Sequence, residues 1–134
     1  MALNKSYNQY VKNSIYTSTP EELTLMLYNG LIKFIMQACV AIDEKGYDKA
    51  SSSIIRAQDI INEFQSTLDK HYQVSERLAL IYDYMYRRLV DANIKKDKVI
   101  LEEVLGYAKE LRNTWAEAMK IAKQQNRQHN IASL

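Results

Sequence analysis

The chain has 134 residues with 18 Lys and Arg against 16 Asp and Glu, a formal net charge of +2. That is one domain's length, and the absence of any block of like charge excludes a nucleic-acid arm. Three Gly and one Pro are too few for the turns of an all-β chain, whereas Ala, Leu, Ile, Lys, Glu and Gln are the residues long helices prefer.

The opening MALNKSYNQYVKNS is polar and lacks the apolar run of a signal peptide. Residues 1–18 are rich in Asn, Ser and Tyr. They read as a mobile arm, extended or partly helical, able to lie on the body through apolar side chains such as Tyr7, Tyr10 and Ile15.

The first helix starts at Thr19-Pro20-Glu21-Glu22. Threonine caps, proline suits the first helical position, and Glu22 stands where a capping box needs it. Its end is set by Asp43-Glu44-Lys45-Gly46, with Gly46 as the left-handed terminator. Between them, Leu23 to Ile42 carry one charge, Lys33, over about the ~20 residues a bilayer requires. Yet Asn29, Lys33 and Gln37 fall on one narrow stripe at 100° per residue. Such a helix is buried on most sides with one edge near water, and no membrane insertion is expected.

The second helix runs from about Asp48 to Lys70, with Ala50, Ile54, Ala57, Ile61, Phe64 and Leu68 on one stripe. His71-Tyr72-Gln73 breaks it. The third runs from about Val74 to Ile94, with Leu78, Tyr82, Met85, Leu89 and Ala92 in line. Asp97 caps the fourth, whose stripe is Leu101, Val104, Ala108, Leu111, Trp115, Ala118 and Ala122. Long helices with short connections and heptad-like stripes predict an all-α, antiparallel four-helix bundle. The chain is then a single domain over 1–134: arm 1–18, bundle about 19–123, flexible tail 124–134.

Bundles often house metals, so the ligand patterns matter. A carboxylate di-iron site takes Glu-x-x-His pairs, but Leu68 and Asn126 stand three before His71 and His129. One cysteine, Cys39, allows no zinc spacing and no internal disulfide, and it suits a reducing compartment. On an apolar helix it reads as a small core residue. There is no Gly-rich phosphate loop and no nucleophile elbow. Acids sit beside bases at helical spacing, as Asp83 with Arg87 and Arg87 with Asp91. No catalytic residue, metal or cofactor is expected.

Two features exceed an ordinary bundle. There are 10 Tyr against 2 Phe, and Tyr82, Tyr84 and Tyr86 point in three directions from one helix. Tyr82 belongs to the core; Tyr84 and Tyr86 either half-bury at its margin or line a groove. Ile55, Ile60 and Ile81 stand outside the main stripes and either widen the core or form a patch awaiting a partner. Helical geometry alone nominates Ile55, Ile60, Ile81, Tyr84 and Tyr86 as partner-binding. The chain is read as a binding protein, with a helical adaptor or dimerisation module as one form.

Tyr7, followed by Thr19-Pro20-Glu21-Glu22-Leu23-Thr24-Leu25-Met26-Leu27-Tyr28-Asn29-Gly30, resembles the opening of the flagellar secretion chaperone FliS family. Ile81-Tyr82-Asp83-Tyr84-Met85-Tyr86-Arg87-Arg88-Leu89 with Ala92-Asn93, and Leu111-Arg112-x-x-Trp115, are similar to its later blocks in order and spacing. The turn has Thr19 where alanine or serine is usual, and Lys70-His71-Tyr72-Gln73 lacks a glycine many members carry. The resemblance implies the same bundle fold. It implies a cytoplasmic chaperone that binds the C-terminal segment of flagellin, blocks premature polymerisation and, once loaded, meets the flagellar export gate. It also implies that the arm, with Tyr7 and Tyr10, is displaced by that partner. Self-pairing into a homodimer stays open as a further use of the apolar surface.

Overall fold

The computed structural model describes residues 12–13 and 16–132. Among these lie four long helices: α1 (Pro20–Asp43), α2 (Tyr47–Thr67), α3 (Gln73–Lys95) and α4 (Lys98–Ala132). The all-α reading holds. Each helix packs on its neighbours in the chain, and α4 returns to α1. The result is an up-and-down antiparallel ring, as short connections require. Lys12, Asn13, Tyr16 and Thr17 have helical backbone. Tyr7, Tyr10 and Ile15 lie outside the described residues.

α1 begins as its sequence dictates. Thr19 Oγ1 accepts from the Glu22 N–H at 3.2 Å, and Pro20 occupies the first turn. Its end differs from expectation. The left-handed residue is Lys45 (φ 60°), while Gly46 has φ −88°. The Gly46 N–H donates to Ala41 O at 2.7 Å and the Lys45 N–H to Ile42 O at 3.0 Å. That is the Schellman pattern with lysine, not glycine, in the left-handed place. Lys96 (φ 49°) closes α3 in the same way, with the Asp97 N–H reaching Ala92 O at 3.2 Å. Asp97 Oδ1 then caps α4 by accepting from the Val99 N–H at 2.9 Å.

α2 stops at Thr67, short of the expected Lys70. Residues 68–72 make a loop in which Asp69 accepts from the His71 N–H at 3.0 Å and Ser75 Oγ donates to Asp69 O. These local side-chain bonds compete with another helical turn. The polar stretch after Gln124, expected as a flexible tail, is helical to Ala132 and exposed. Of the two surface pairs expected on α3, Arg87–Asp83 forms at 3.0 Å, but Asp91 pairs with Arg88 at 3.2 Å instead of Arg87.

The core is continuous from end to end. Leu31, Ile35, Ile54, Ile61, Met85, Leu89, Leu101 and Val104 are fully buried, each worth roughly 1.5–3 kcal/mol of burial. α1 has the length and apolarity to cross a membrane. Here its Tyr28, Leu31, Ile32, Ile35, Ala38, Cys39 and Ala41 are buried against the other helices. At one end the Phe64 ring lies between Tyr28 (4.5 Å) and Tyr82 (5.3 Å). The two tyrosine hydroxyls meet above it at 2.6 Å, so each buried phenol satisfies the other.

Two contacts fasten α4 to α1. Trp115 Nε1 donates to Glu21 O at 3.0 Å. At the opposite end Lys98 Nζ meets Asp43 Oδ2 at 2.9 Å.

Candidate functional site

The stripe of Asn29, Lys33 and Gln37 that faces away from the core forms one side of an open groove of about 680 Å³. The apolar part of its lining also comes from α1. Ile32 is buried beneath it, while Met36 and Val40 are 49% and 53% exposed. α2 contributes Lys49, Ser52, Ser53 and Arg56. α4 reaches in with Arg112. The groove exists because α1 is apolar over more of its circumference than the core consumes.

Its charged side chains are held by weak partners. The Arg56 guanidinium lies 5.6 Å from the Phe34 ring centre, and Arg112 Nε donates to Asn113 Oδ1 at 3.1 Å. Among the described residues, Lys33, Lys49, Arg56 and Arg112 are in none of the ion pairs. The α3–α4 edge is the opposite case. There Arg88 Nε donates to Glu103 Oε1 at 2.8 Å and also pairs with Asp91. The hydrogen bond from Arg88 holds the Glu103 carboxyl below its ordinary pKa.

The nominated residues fall on different seams. Ile55 is 49% exposed on α2 and lies outside the groove lining. Ile60 is half-buried against α1: a methyl group on Gly30 would stand 3.4 Å from its Cδ1. Ile81 and Tyr86 pack on the core margin of α3. Tyr84 is held in the α3–α4 edge, its hydroxyl donating to Glu103 at 3.2 Å and its ring edge-on to Tyr107 at 5.9 Å. Tyr7 and Tyr10 lie outside the described residues.

Met36, Val40, Arg56 and Arg112 were not among the nominated residues. The signal for Met36 and Val40 was present in the Asn29–Lys33–Gln37 stripe, which marks the side of α1 that no other helix covers. Arg112 could not be found that way, because its place in the groove depends on α4 folding back beside α1.

No three His, Cys, Asp or Glu side chains gather among the described residues as a metal would need. Burial pushes the Cys39 thiol above its ordinary pKa, with Glu102 adding to the shift, so its thiolate is disfavoured.

The family model for flagellar protein FliS matches residues 3–122. A flagellar secretion chaperone FliS of Bacillus subtilis is 46% identical over 120 residues, spanning 90% of each chain. One from Campylobacter jejuni is 30% identical over 119 residues, covering 87% of this chain and 93% of that one. A crystal structure of a flagellar chaperone from bacteria superposes with a TM-score of 0.71 over 87% of this chain and 96% of its own. Its 14% identity bears on the fold alone.

Proposed function

The chain belongs to the FliS family of flagellar proteins, and from that premise we propose that it captures the C-terminal segment of flagellin in the cytoplasm and carries it to the export gate. It is a flagellar secretion chaperone and not an enzyme.

The observation that carries the finer reading is the open groove on a bundle whose core is otherwise closed. Met36 and Val40 stand one turn apart on one face of α1 and line the same groove, and a contiguous apolar face of that kind marks a binding surface. A disordered segment pays ordering entropy on binding but can wrap a large surface. Capture hides the segment's apolar stripe from other flagellin molecules, which is what blocking premature polymerisation requires. Ile55, Ile60, Ile81, Tyr84 and Tyr86 supply further contacts as the segment winds round the bundle. Tyr7 and Tyr10, which lie outside the described residues, are included as partner contacts on the strength of the family resemblance, and the arm is read as competing with the partner. Release needs competition or threading, not a chemical step.

Calorimetric titration with the C-terminal peptide of flagellin from the same cell tests this. Tight one-to-one binding with a large negative heat-capacity change is expected, and tighter binding after deletion of residues 1–18. Failure of both forms to bind would leave a helical adaptor or self-pairing module in its place.

A further inference from the structure

We propose that the groove along α1 is a docking site for an amphipathic helix whose apolar stripe is bordered by carboxylates. This deepens the chaperone reading and rests on it only in treating the groove as a binding surface.

The shape comes first. From Asn29 to Glu44 the groove follows α1 for about 22 Å at 1.5 Å per residue, the length of four helical turns. An apolar strip one side chain wide, Ile32, Met36 and Val40, is what one face of a helix covers. Methionine at its centre adapts to the shape of whatever settles on it.

The charge fixes the chemistry of the occupant. Lys33 stands on the α1 side, Lys49 and Arg56 on the α2 side, and Arg112 comes across from α4. One carboxylate, Glu44, shares the lining. None of the four cations has a carboxylate within 4.0 Å among the described residues, although Asp83 and Asp91 on α3 are drawn into pairs. Four cations round an apolar strip repel one another and are relieved by an anionic partner. The positive edge also continues past the groove. Lys120, Lys123 and Arg127 fall with Arg112 within an arc of about 80° on α4, and no Asp or Glu follows Glu117.

The strip and the rim act on different quantities. Met36 and Val40 supply affinity through burial, whatever the partner's charge. The rim selects among apolar helices, favours those with Glu or Asp on the borders and speeds their arrival.

Two labelled peptides of about 18 residues, with the same Leu and Met stripe but Glu or Lys on its borders, test the rim in the full-length protein without any flagellin. Fluorescence anisotropy at low salt is expected to show the Glu peptide binding at least about tenfold tighter, a margin that shrinks as salt rises. Lys33→Glu/Arg56→Glu/Arg112→Glu is expected to invert the preference, since Lys33 and Arg56 are exposed and half-buried Arg112 lies outside the core. Lys70→Glu/Lys95→Glu, equally basic sites away from the groove, is expected to preserve it. Equal binding of the two peptides, no binding of either, or a preference that survives the triple reversal would overturn the proposal. The flagellin titration decides the cargo separately, so the two readings fail independently.

Discussion

Replacing Tyr82 by Phe removes one hydroxyl from a dry pair. Tyr28 and Tyr82 are 4% and 2% exposed, and among the described residues their 2.6 Å hydrogen bond is the one each phenol makes. The Tyr28 hydroxyl is then left buried without a partner, at a cost of about 1–3 kcal/mol. Tyr28→Phe strands Tyr82 in the same way. Removing both hydroxyls strands nothing. The loss then reduces to the void left by two oxygens, ~20 Å³ at ~24 cal/mol per Å³, or about 0.5 kcal/mol. The double variant is therefore expected to be at least as stable as either single one, a coupling energy of roughly 1.5–5.5 kcal/mol. Urea unfolding followed by helical circular dichroism reads this directly. At a slope of ~2 kcal/mol per M, a loss of 2 kcal/mol lowers the midpoint by about 1 M. Costs that simply add in the double variant would refute the account, because they would mean that each hydroxyl is satisfied independently of the other.

The same pair predicts an alkaline limb. Burial pushes both phenols above the ordinary tyrosine value, and in Tyr82 the bond to Tyr28 pushes further. The folded state then keeps protons that the unfolded chain loses. Stability should be full below about pH 10 and fall as pH rises beyond it; Tyr28→Phe/Tyr82→Phe should flatten that fall in thermal melts taken between pH 9 and 11. Gly106 sits inside α4, exposed, with nothing within 4 Å of an added Cβ. Gly106→Ala should raise stability by about 0.5–1 kcal/mol, read as a higher urea midpoint. Lys45 holds φ 60° at the end of α1, so Lys45→Gly should stabilise by up to about 1 kcal/mol, with a lower midpoint counting against it. Thr19→Ala removes the cap on Glu22 N–H and should cost about 1 kcal/mol in the same assay.

The helices were legible because their signals are local. Thr19-Pro20-Glu21-Glu22 marks a helix start, and Ala50, Ile54, Ala57, Ile61 and Phe64 repeat every three or four residues and are all buried. Gly46 misled because a Schellman turn has two residues past the cap. A glycine in the second position leaves the left-handed place to its neighbour. The tail misled because composition reports polarity, and a stretch with no Gly or Pro, as α4 is after Gly106, can run on as helix in solvent. The groove was only half legible. The polar stripe of α1 shows which side is uncovered, but the cations that meet across it come from three helices, and only packing brings them together. Tyr84 shows the converse. Its position on the helix is readable, but its commitment to Glu103 on α4 depends on which helix lies alongside.

The Trp115–Glu21 bond places the start of α1 beside the middle of α4, whose C-terminal half runs on past that pole of the bundle. A pull applied to the two chain ends therefore loads the α1–α4 seam from one edge. In this peeling geometry contacts yield one after another, beginning at Trp115, whereas sliding the helices lengthwise would strain the whole seam at once. A molecule held by both ends should open at low force from that pole, with the Lys98–Asp43 bridge at the far end the last fastening to part.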